Sequence, residues 1–235
     1  MSWKNGEPAI IPPPPPDAPP SDANGQRLGN GQSAGHRRRK PKRRFPPEVL
    51  TPEEIAALMD ACSDGPAGVR NRALITVLYR AGLRINEALA LRPKDLDPRT
   101  GAIRVLFAKG GRDRTVGMDG RAFEVLGPWL AIRAARLPQG IDARAPVFCM
   151  LDGRPLADGY IRVLFPRLGR LAGIAKRVHA HGLRHTHAAE LRAEGVDVGI
   201  ISKQLGHRTI ATTARYLDHI APFQVVRAMA SRIWS

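Results

Sequence analysis

A change in composition near residue 46 divides the chain and limits which part of it can fold. Before that point the sequence is rich in proline, glycine and polar residues, as in IIPPPPPDAPP and GQRLGNGQSAGH. Such a segment holds too few apolar side chains to bury a core, so disorder is the expected state. We therefore predict a disordered Pro/Gly-rich and basic tail over 1–46 and one folded domain over 47–235.

The chain carries a large excess of positive charge. Its 235 residues include 37 Lys and Arg against 21 Asp and Glu, a formal net charge of +16. Residues 1–50 hold nine of the basic and four of the acidic residues, which leaves 28 and 17, a net +11, for the rest. Because the folded part is itself basic, a polyanion is the expected partner, and nucleic acid is favoured over an anionic membrane.

The sequence also excludes several classes of protein. No apolar run approaches the roughly 20 residues that span a bilayer, and the first residues lack the pattern of a signal peptide. Cys62 and Cys149 are the only cysteines. They are too few for a disulfide framework or a thiolate zinc site, so both are predicted to be core residues. We expect a cytoplasmic protein that associates with the nucleoid.

A basic cluster closes the tail, and two interpretations of it stay open. Seven of the residues from Arg37 to Pro47 are basic, and Pro41 interrupts any helix they could form. The cluster is either a solvated linker or an arm that contacts the DNA backbone, since each Lys or Arg paired with a phosphate releases counterions. The residues of such an arm are Arg37, Arg38, Arg39, Lys40, Lys42, Arg43 and Arg44.

Helical patterning begins after Leu50. Thr51 is a good N-cap, and Pro52 fits the first position of a helix over TPEEIAALMDAC. Apolar spacing predicts further helices over VRNRALITVLYRAG, over LRINEALALRPKDLD as far as Pro93, over 120–137 and 158–172, and finally over 222–234.

One stretch has the two-residue period of strands instead. AIRVLF, AKGGRD and RTVGM predict a strand, a tight turn and a strand, because paired glycines supply the backbone freedom that a hairpin needs. A second short hairpin is predicted over APVFCMLDGRPL, around Asp152 and Gly153. The predicted fold class is therefore mainly α with a small antiparallel β-sheet, an α+β domain.

The stretch from Val178 to Leu217 gathers the side chains that can carry chemistry. His181 and Arg184 are three residues apart, so on a helix they face the same way. His207 and Tyr216 follow, and short helix connections can return both to the same place. The set contains no carboxylate pair and no thiol. It has what is needed to handle a phosphate with a phenolic nucleophile.

These motifs resemble the catalytic domain of the tyrosine recombinases, the phage integrase family that includes the Xer-type enzymes. The resemblance runs from LTPEEIAALMDA to TTARYLDHI and is most specific in HGLRHTHAAELRAEGVDVGIISKQLGHRTIATTARYLDH. Upstream it adds Arg84 in AGLRINEA and Lys109 in AKGG. It implies a site-specific recombinase or integrase that cuts and rejoins DNA through a 3′-phosphotyrosyl intermediate, with no cofactor.

The resemblance also implies a role for each matching residue. Arg84 and Arg184 would grip the nonbridging oxygens of the scissile phosphate and stabilise the charge of the transition state. Tyr216 would be the nucleophile, and His181 would accept its proton. His207 would hydrogen-bond the phosphate.

Two further positions match supporting parts of that site. Lys109 would act as general acid toward the departing 5′ oxygen, although Arg112 and Arg114 lie near enough in the sequence to compete for this role. Glu87 would orient the active site. Taken alone, it is equally a surface partner for Arg84.

Four histidines lie close together in the sequence, at 179, 181, 185 and 187. Histidines four residues apart can share a metal, but no H-E-x-x-H motif or cysteine partner accompanies them, so a metal site is not favoured. His185 follows Arg184 as it does in many family members. His185 and His187 are interpreted as residues that pack behind the site and support it.

One departure from the family bears on how DNA is held. Many tyrosine recombinases carry a helical core-binding domain before the catalytic domain, and here the tail occupies that place. We expect double-stranded DNA as the partner, a homo-oligomer that is tetrameric on DNA and linked by the helix at 222–234, and possible recruitment by an accessory DNA-binding protein. The alternative function is a non-catalytic or relic DNA-binding protein of the same fold.

Overall fold

The computed structural model describes residues 48–106, 113–137, 145–220, 226 and 229–232. Eight helices and three strands are assigned within these ranges, together with a 3-10 turn at Pro93–Asp95. The helices are α1 (Pro52–Asp60), α2 (Pro66–Arg80), α3 (Ile85–Ala90), α4 (Gly120–Arg136), α5 (Asp158–Leu171), α6 (Ala180–Ala193), α7 (Val198–Leu205) and α8 (Ile210–Ile220), and the strands are β1 (Leu96–Asp97), β2 (Ala102–Val105) and β3 (Arg114–Gly117). A mainly helical fold with a small antiparallel sheet is confirmed.

Helix α1 begins where its capping residues predict. The Thr51 hydroxyl accepts a hydrogen bond from the Glu54 amide at 3.2 Å, and the Glu54 carboxylate accepts one from the Thr51 amide at 2.8 Å. This reciprocal capping box satisfies two amides that the first turn of a helix leaves without partners.

Helix α3 is shorter than its sequence pattern suggests. It ends at Ala90, and Leu91 is already extended, with ψ of 139°. The Leu91 carbonyl instead accepts a hydrogen bond from the Val147 amide at 2.6 Å. Pro93 adds to this effect, because a proline disfavours helical geometry at the residue before it. A tertiary contact and a local steric rule therefore end the helix together.

The three strands form one antiparallel sheet in the order β1-β2-β3. Strands β2 and β3 pair as predicted, with Ile103 opposite Val116. Strand β1 has two residues, too few for an alternating pattern to reveal it in the sequence. The turn that carries Lys109 lies outside the described residues. At the second predicted hairpin, one bridge joins Cys149 to Pro155.

The main core is built around α2, which packs against α4 and α6. Its residues from Ala73 to Leu78 are buried, as expected of a helix that is apolar on most of its surface. Trp129 of α4 is 1% exposed, and its indole N–H donates to the Val147 carbonyl at 2.8 Å. Cys62 and Cys149 are both buried, as predicted.

A second, smaller cluster joins the last three helices. Ala188 of α6, Ile201 and Leu205 of α7, and Leu217 and Ile220 of α8 form it, and Tyr216 packs against it. Helix α6 thus lies between two cores. It packs against α2 on one side and against α7 and α8 on the other.

The first described residues lie against α6 and the loop before it. The Leu50 amide donates to the Thr186 hydroxyl at 3.0 Å, and Lys176 donates to the Val49 carbonyl at 2.9 Å. Glu48 accepts a hydrogen bond from the Arg177 amide. The chain therefore enters the described domain close to the start of α6. Within the described ranges, every helix is too short or too polar to cross a membrane.

Candidate active site

Four of the predicted site residues come together at the C-terminal end of α7. Arg84 caps the start of α3, Arg184 lies in α6, His207 follows α7, and Tyr216 lies in α8. The carbonyls of Leu205 and Gly206, consecutive residues at this helix end, accept hydrogen bonds from Arg184 and Arg84 respectively. Carbonyls at a helix C-terminus lack partners within the helix and carry negative partial charge, so they attract guanidinium groups.

Arg184 is fixed in place by backbone groups. It is 1% exposed, and it donates to the Gly82 carbonyl at 2.6 Å and to the Leu205 carbonyl at 2.5 Å. Burial lowers its pKa to about 10, with a further lowering from the positive charge of Arg84. The guanidinium therefore stays charged at neutral pH. Backbone carbonyls orient this charge without cancelling it.

Arg84 both pairs with Glu87, as a surface arginine could, and faces the candidate site. Its Nη1 pairs with the Glu87 carboxylate at 2.9 Å, while its Nη2 reaches the Gly206 carbonyl at 3.5 Å. The Arg84 side chain is 42% exposed, so part of the guanidinium remains open to an anion. The ion pair that could have made Arg84 an ordinary surface residue instead orients it within the site.

Glu87 is buried beneath Arg84 and receives a second arginine. Arg114 of β3 donates to its two oxygens at 3.0 and 2.9 Å. Burial alone would raise the pKa of the Glu87 carboxyl, but the hydrogen bonds from Arg114 and from the Arg84 backbone lower it below its usual value. Glu87 is therefore an anion held between two cations.

His207 lies between Arg184 and Tyr216. Its Nε2 is 3.3 Å from Arg184 Nη2, and its Nδ1 is 2.9 Å from the Thr213 hydroxyl. Gly206, with φ of 65°, ends α7 in the left-handed conformation that glycine tolerates best and turns the chain so that this ring faces the site. Burial, then the charges of Arg184 and Arg84, lower the pKa of His207 to about 4, so the ring is neutral at pH 7.

Tyr216 is the least satisfied member of the group. Its hydroxyl oxygen is buried and has no hydrogen-bond partner in the part of the chain that the structure describes. The ring stacks on His185 with 5.1 Å between centroids, and it meets the His207 ring edge-on at 5.3 Å. Burial raises the pKa of Tyr216 to about 12, although the nearby charges of Arg184 and Arg84 act to lower it. The free domain therefore holds a protonated phenol beside two guanidinium groups.

His181 adjoins this group through His185. The two imidazole rings are 4.4 Å apart in an edge-on arrangement, and His185 in turn stacks on Tyr216. The His181 ring reaches solvent, yet enough protein surrounds it that desolvation, followed by the charge of Arg184, lowers its pKa. A neutral His181 at pH 7 can accept a proton.

His187 points to the other side of α6. It is 5% exposed and packs against Gly82, where an added Cβ would lie 2.4 Å from the His187 ring. Gly82 has φ of 63° and carries the carbonyl that holds Arg184, so the close packing of His187 also bears on the site. Among the described residues, no group of three side chains is arranged to bind a metal ion.

Several predicted residues lie outside the described part of the chain. Lys109 and its competitor Arg112 fall within 107–112, and the seven basic residues of the arm fall before residue 48. Of the predicted helix at 222–234, the structure describes residues 226 and 229–232. Arg114 is described, and its side chain is 11% exposed and paired with Glu87. Its role as a competing general acid therefore does not fit its position.

Two contacts of the site were not anticipated from the sequence. The pair between Arg114 and Glu87 joins residues 27 positions apart. The only indication of it in the sequence is that Arg114 lies near a predicted hairpin turn. Thr213, which hydrogen-bonds His207, is fully buried in α8. A threonine at that position carries no distinguishing pattern in the sequence.

The buried histidines predict a loss of stability on mild acidification. Burial, then the neighbouring His181, lower the pKa of His185 to about 3, whereas an unfolded histidine titrates near 6.5. Below pH 6.5 the unfolded chain binds a proton that the folded chain does not, so the free energy of unfolding should fall as the pH is lowered toward 4. Each such histidine contributes a slope of about 1.4 kcal/mol per pH unit.

Urea unfolding of wild type and His185→Phe at several pH values between 8 and 4 measures this effect. The variant keeps an aromatic ring to stack on Tyr216 and removes one titrating group. Its slope below pH 6.5 should be smaller by about 1.4 kcal/mol per pH unit. The difference at pH 8, where both states are neutral, isolates the change in packing. Equal slopes would contradict the lowered pKa of His185.

Comparisons with known proteins agree with the geometry of the site. The chain is 34% identical over 190 residues to the tyrosine recombinase XerC of Xanthomonas campestris pv. campestris (strain B100), which covers 81% of this chain and 56% of that protein. It is 32% identical over 173 residues to XerC of Thermodesulfovibrio yellowstonii, covering 72% of this chain and 57% of that one. The chain thus spans a little over half the length of these curated relatives.

Solved structures agree with the sequence relatives. The crystal structure of XerA recombinase superposes with a TM-score of 0.70 at 28% identity, over 81% of this chain and 68% of that one. XerH site-specific recombinase, in a post-cleavage complex with a palindromic difH substrate, gives 0.65 at 28% identity, over 80% and 54%. The model of the phage integrase family matches residues 48–221. The chain belongs to the phage integrase family.

Proposed function

We propose that this chain is a site-specific DNA recombinase that cuts and rejoins strands by transesterification through Tyr216. The observation that carries the proposal is the convergence of Arg84, Arg184, His207 and Tyr216 at one helix end. Two guanidinium groups beside a buried phenol that has no hydrogen-bond partner among the described residues support a site for a phosphate.

The proposed reaction starts with the scissile phosphate bound between Arg84 and Arg184. The Tyr216 oxygen forms a bond to phosphorus, and the bond from phosphorus to the 5′ oxygen breaks. The phenolic proton passes to neutral His181, and Lys109 protonates the departing 5′ oxygen. His207 hydrogen-bonds the phosphate. The bond energy is kept in the phosphotyrosyl link, so attack by a 5′ hydroxyl reverses the step without ATP or a metal.

The two arginines supply the main electrostatic contribution. A transition state at phosphorus spreads negative charge over its equatorial oxygens, and preorganised donors stabilise that charge without reorganising. Arg184 is preorganised by its two backbone contacts, and Arg84 by Glu87. A bound phosphate would also bring acceptor oxygens to the end of the site where the Tyr216 hydroxyl has no partner.

The partner that fits the basic charge is double-stranded DNA, which would place the protein in the cytoplasm with the nucleoid. The relative XerH is described with a palindromic substrate, and a palindrome presents two equivalent half-sites. By analogy we propose a homo-oligomer, tetrameric on DNA, that uses the segment 222–234 to link subunits. An accessory DNA-binding protein would assist recruitment.

The comparisons do not favour the alternative function, but one property of the free domain makes it testable. The pKa of Tyr216, raised by burial to about 12, makes the phenol a poor nucleophile in the free domain. If DNA does not change that environment, the chain is a DNA-binding protein of the same fold that does not cut. The two functions differ in whether a covalent link to DNA forms.

Covalent trapping separates them. The protein is incubated with a pool of nicked duplexes that carry randomised palindromic half-sites, and adducts that survive denaturation are counted by gel. Wild type should form an adduct, and Tyr216→Phe should lower it by at least about 10³-fold because the nucleophilic oxygen is gone. Arg184→Lys, which cannot replace the fork, should cost about 10² to 10³-fold.

Tyr79→Phe is the matched control, since the Tyr79 hydroxyl donates to Glu190 rather than facing the site. This variant should form the adduct at the wild-type rate. Adduct formation by Tyr216→Phe would remove Tyr216 from its proposed role. Duplex binding without an adduct on any nicked substrate would favour the second function.

The basic cluster before residue 48 is proposed to act as an arm on the DNA backbone. The chain enters the described domain beside the first residues of α6, the helix that carries His181 and Arg184. From Arg44 to Glu48 is four residues, which span at most about 14 Å when extended. The cluster is thus joined by a short connection to the part of the chain that carries the proposed site.

Two deletions test the arm. Removing 1–44 should weaken duplex binding and flatten the plot of log K against log salt concentration by up to about 6, because seven cations each account for a slope of about 0.9. Removing 1–36 keeps the cluster and should leave the slope unchanged. If the 1–44 deletion also leaves the slope unchanged, the cluster is a solvated linker.

A further inference from the structure

We propose that Arg114 is a positioning residue that sets the geometry of the phosphate site through Glu87 and Gly206. This inference rests on the proposed function, because it assigns a part in the reaction to a residue that does not touch the phosphate. It extends the site from α3, α6, α7 and α8 to strand β3. That strand follows directly on the segment that contains Lys109.

The Glu87 carboxylate is shared evenly between two arginines. Its Oε1 accepts from Arg114 Nη1 at 3.0 Å and from Arg84 Nη1 at 2.9 Å. Its Oε2 accepts from Arg114 Nη2 at 2.9 Å and from the Arg84 amide at 2.9 Å. The paired bonds from Arg114 fix the plane of the carboxylate. That plane in turn fixes both the side chain and the backbone of Arg84.

Arg114 also lies against the residue that precedes His207. A Cβ placed on Gly206 would be 2.7 Å from Arg114 Nε, so the guanidinium lies directly on the Gly206 backbone. The carbonyl of Gly206 accepts from Arg84 Nη2 at 3.5 Å, and the next residue presents its ring to Arg184. One side chain therefore lies behind both Arg84 and the turn that places His207.

Arg114 is held in a buried ion pair, so it can act only through the residues that it contacts. Its side chain is 11% exposed and Glu87 is 6% exposed, so this pair is shielded from salt and water. Removing Arg114 would leave the buried Glu87 carboxylate with Arg84 as its one remaining cationic partner, which costs more than the loss of a surface pair. A guanidinium held there cannot travel to a leaving group. Its effect must pass through the residues that it holds.

A neighbouring ion pair offers a matched comparison. Arg104 of β2 donates from Nε and Nη2 to one oxygen of Asp95 at 3.4 and 3.2 Å, and Asp95 is buried like Glu87. This pair joins the sheet to the 3-10 turn, and Asp95 holds Arg92 rather than Arg84. Loss of the Arg104 pair should change stability without changing the phosphate site.

The first experiment is a double-mutant cycle on the rate of adduct formation at saturating nicked duplex. Arg114→Gln should lower that rate by about 10 to 10²-fold and change the duplex Kd by less than about 3-fold, since it disturbs positioning rather than binding. In an Arg84→Ala background the same change should cost clearly less than in wild type, because the route through Glu87 and Arg84 is gone and the contact with Gly206 alone remains. Arg114→Lys should lie between wild type and Arg114→Gln.

Arg104→Gln is carried through the same cycle, with urea unfolding of every variant. It should leave the rate of each background unchanged even where its stability falls. An Arg114→Gln loss of equal size in both backgrounds would overturn the inference, because the effect would then not pass through Arg84. An equal rate loss in Arg104→Gln would overturn it too, since general destabilisation would account for both.

A second measurement does not depend on catalysis. The Nε–H signal of Arg84 is assigned in the ¹⁵N NMR spectrum of the full chain by its disappearance in Arg84→Lys. Arg114→Gln should shift or broaden this signal, and Arg104→Gln should leave it unchanged. An unmoved Arg84 signal in folded Arg114→Gln would overturn the positioning role. Absence of an adduct in wild type, with the Arg84 signal still coupled to Arg114, would overturn the proposed function alone.

Discussion

The burial of the Arg184 charge against backbone carbonyls is the interaction on which the rest of the site depends. A buried cation is costly unless its donors find partners, and the Gly82 and Leu205 carbonyls supply them. A carboxylate in the same place would stabilise the cation more, but it would occupy the position of the phosphate and cancel the charge that should hold it. Carbonyl dipoles satisfy the hydrogen bonds and leave a net positive field. Two local features supply these carbonyls: Gly82, which adopts the left-handed conformation, and the C-terminal end of α7.

The arginine proposed to bind phosphate and the proposed nucleophile are anchored differently. Arg184 lies in α6 between two cores, whereas α8 is held by a small cluster to which it contributes Leu217 and Ile220. Burial of two such side chains stabilises the fold by about 3 to 6 kcal/mol in total. The Tyr216 hydroxyl, which is buried without a partner among the described residues, destabilises it by about 1 to 3 kcal/mol. Arg184 thus lies between both cores, whereas α8 packs on the smaller one alone. A bound phosphate would place acceptor oxygens beside the Tyr216 hydroxyl, which has no hydrogen-bond partner among the described residues.

Local signals account for what could be predicted from the sequence. The capping box at Thr51, the paired strands β2 and β3, and the helices flanking them follow from short-range rules, and all appear in the structure. The end of α3 and the two-residue β1 do not follow, because contacts with residues far along the chain decide them. His181, Arg184, His207 and Tyr216 could be named from their spacing, and Arg84 from the resemblance to the tyrosine recombinases. Their partners Arg114 and Thr213 could not, because tertiary packing selects which arginine meets Glu87 and which hydroxyl meets His207. Lys109, the basic arm and the helix at 222–234 stay predictions.

The proposed reaction requires that the Tyr216 hydroxyl oxygen becomes bonded to DNA. Trypsin cleaves after Arg215 and Arg227, so it releases a peptide that begins with Tyr216 itself. Mass spectrometry of the trapped adduct, after nuclease digestion, should find a nucleotide 3′-phosphate on Tyr216 and a free 5′ hydroxyl on the released strand. A link to any other residue, or a 5′-phosphate on the enzyme with a free 3′ hydroxyl on the released strand, would contradict the assignment of nucleophile and polarity.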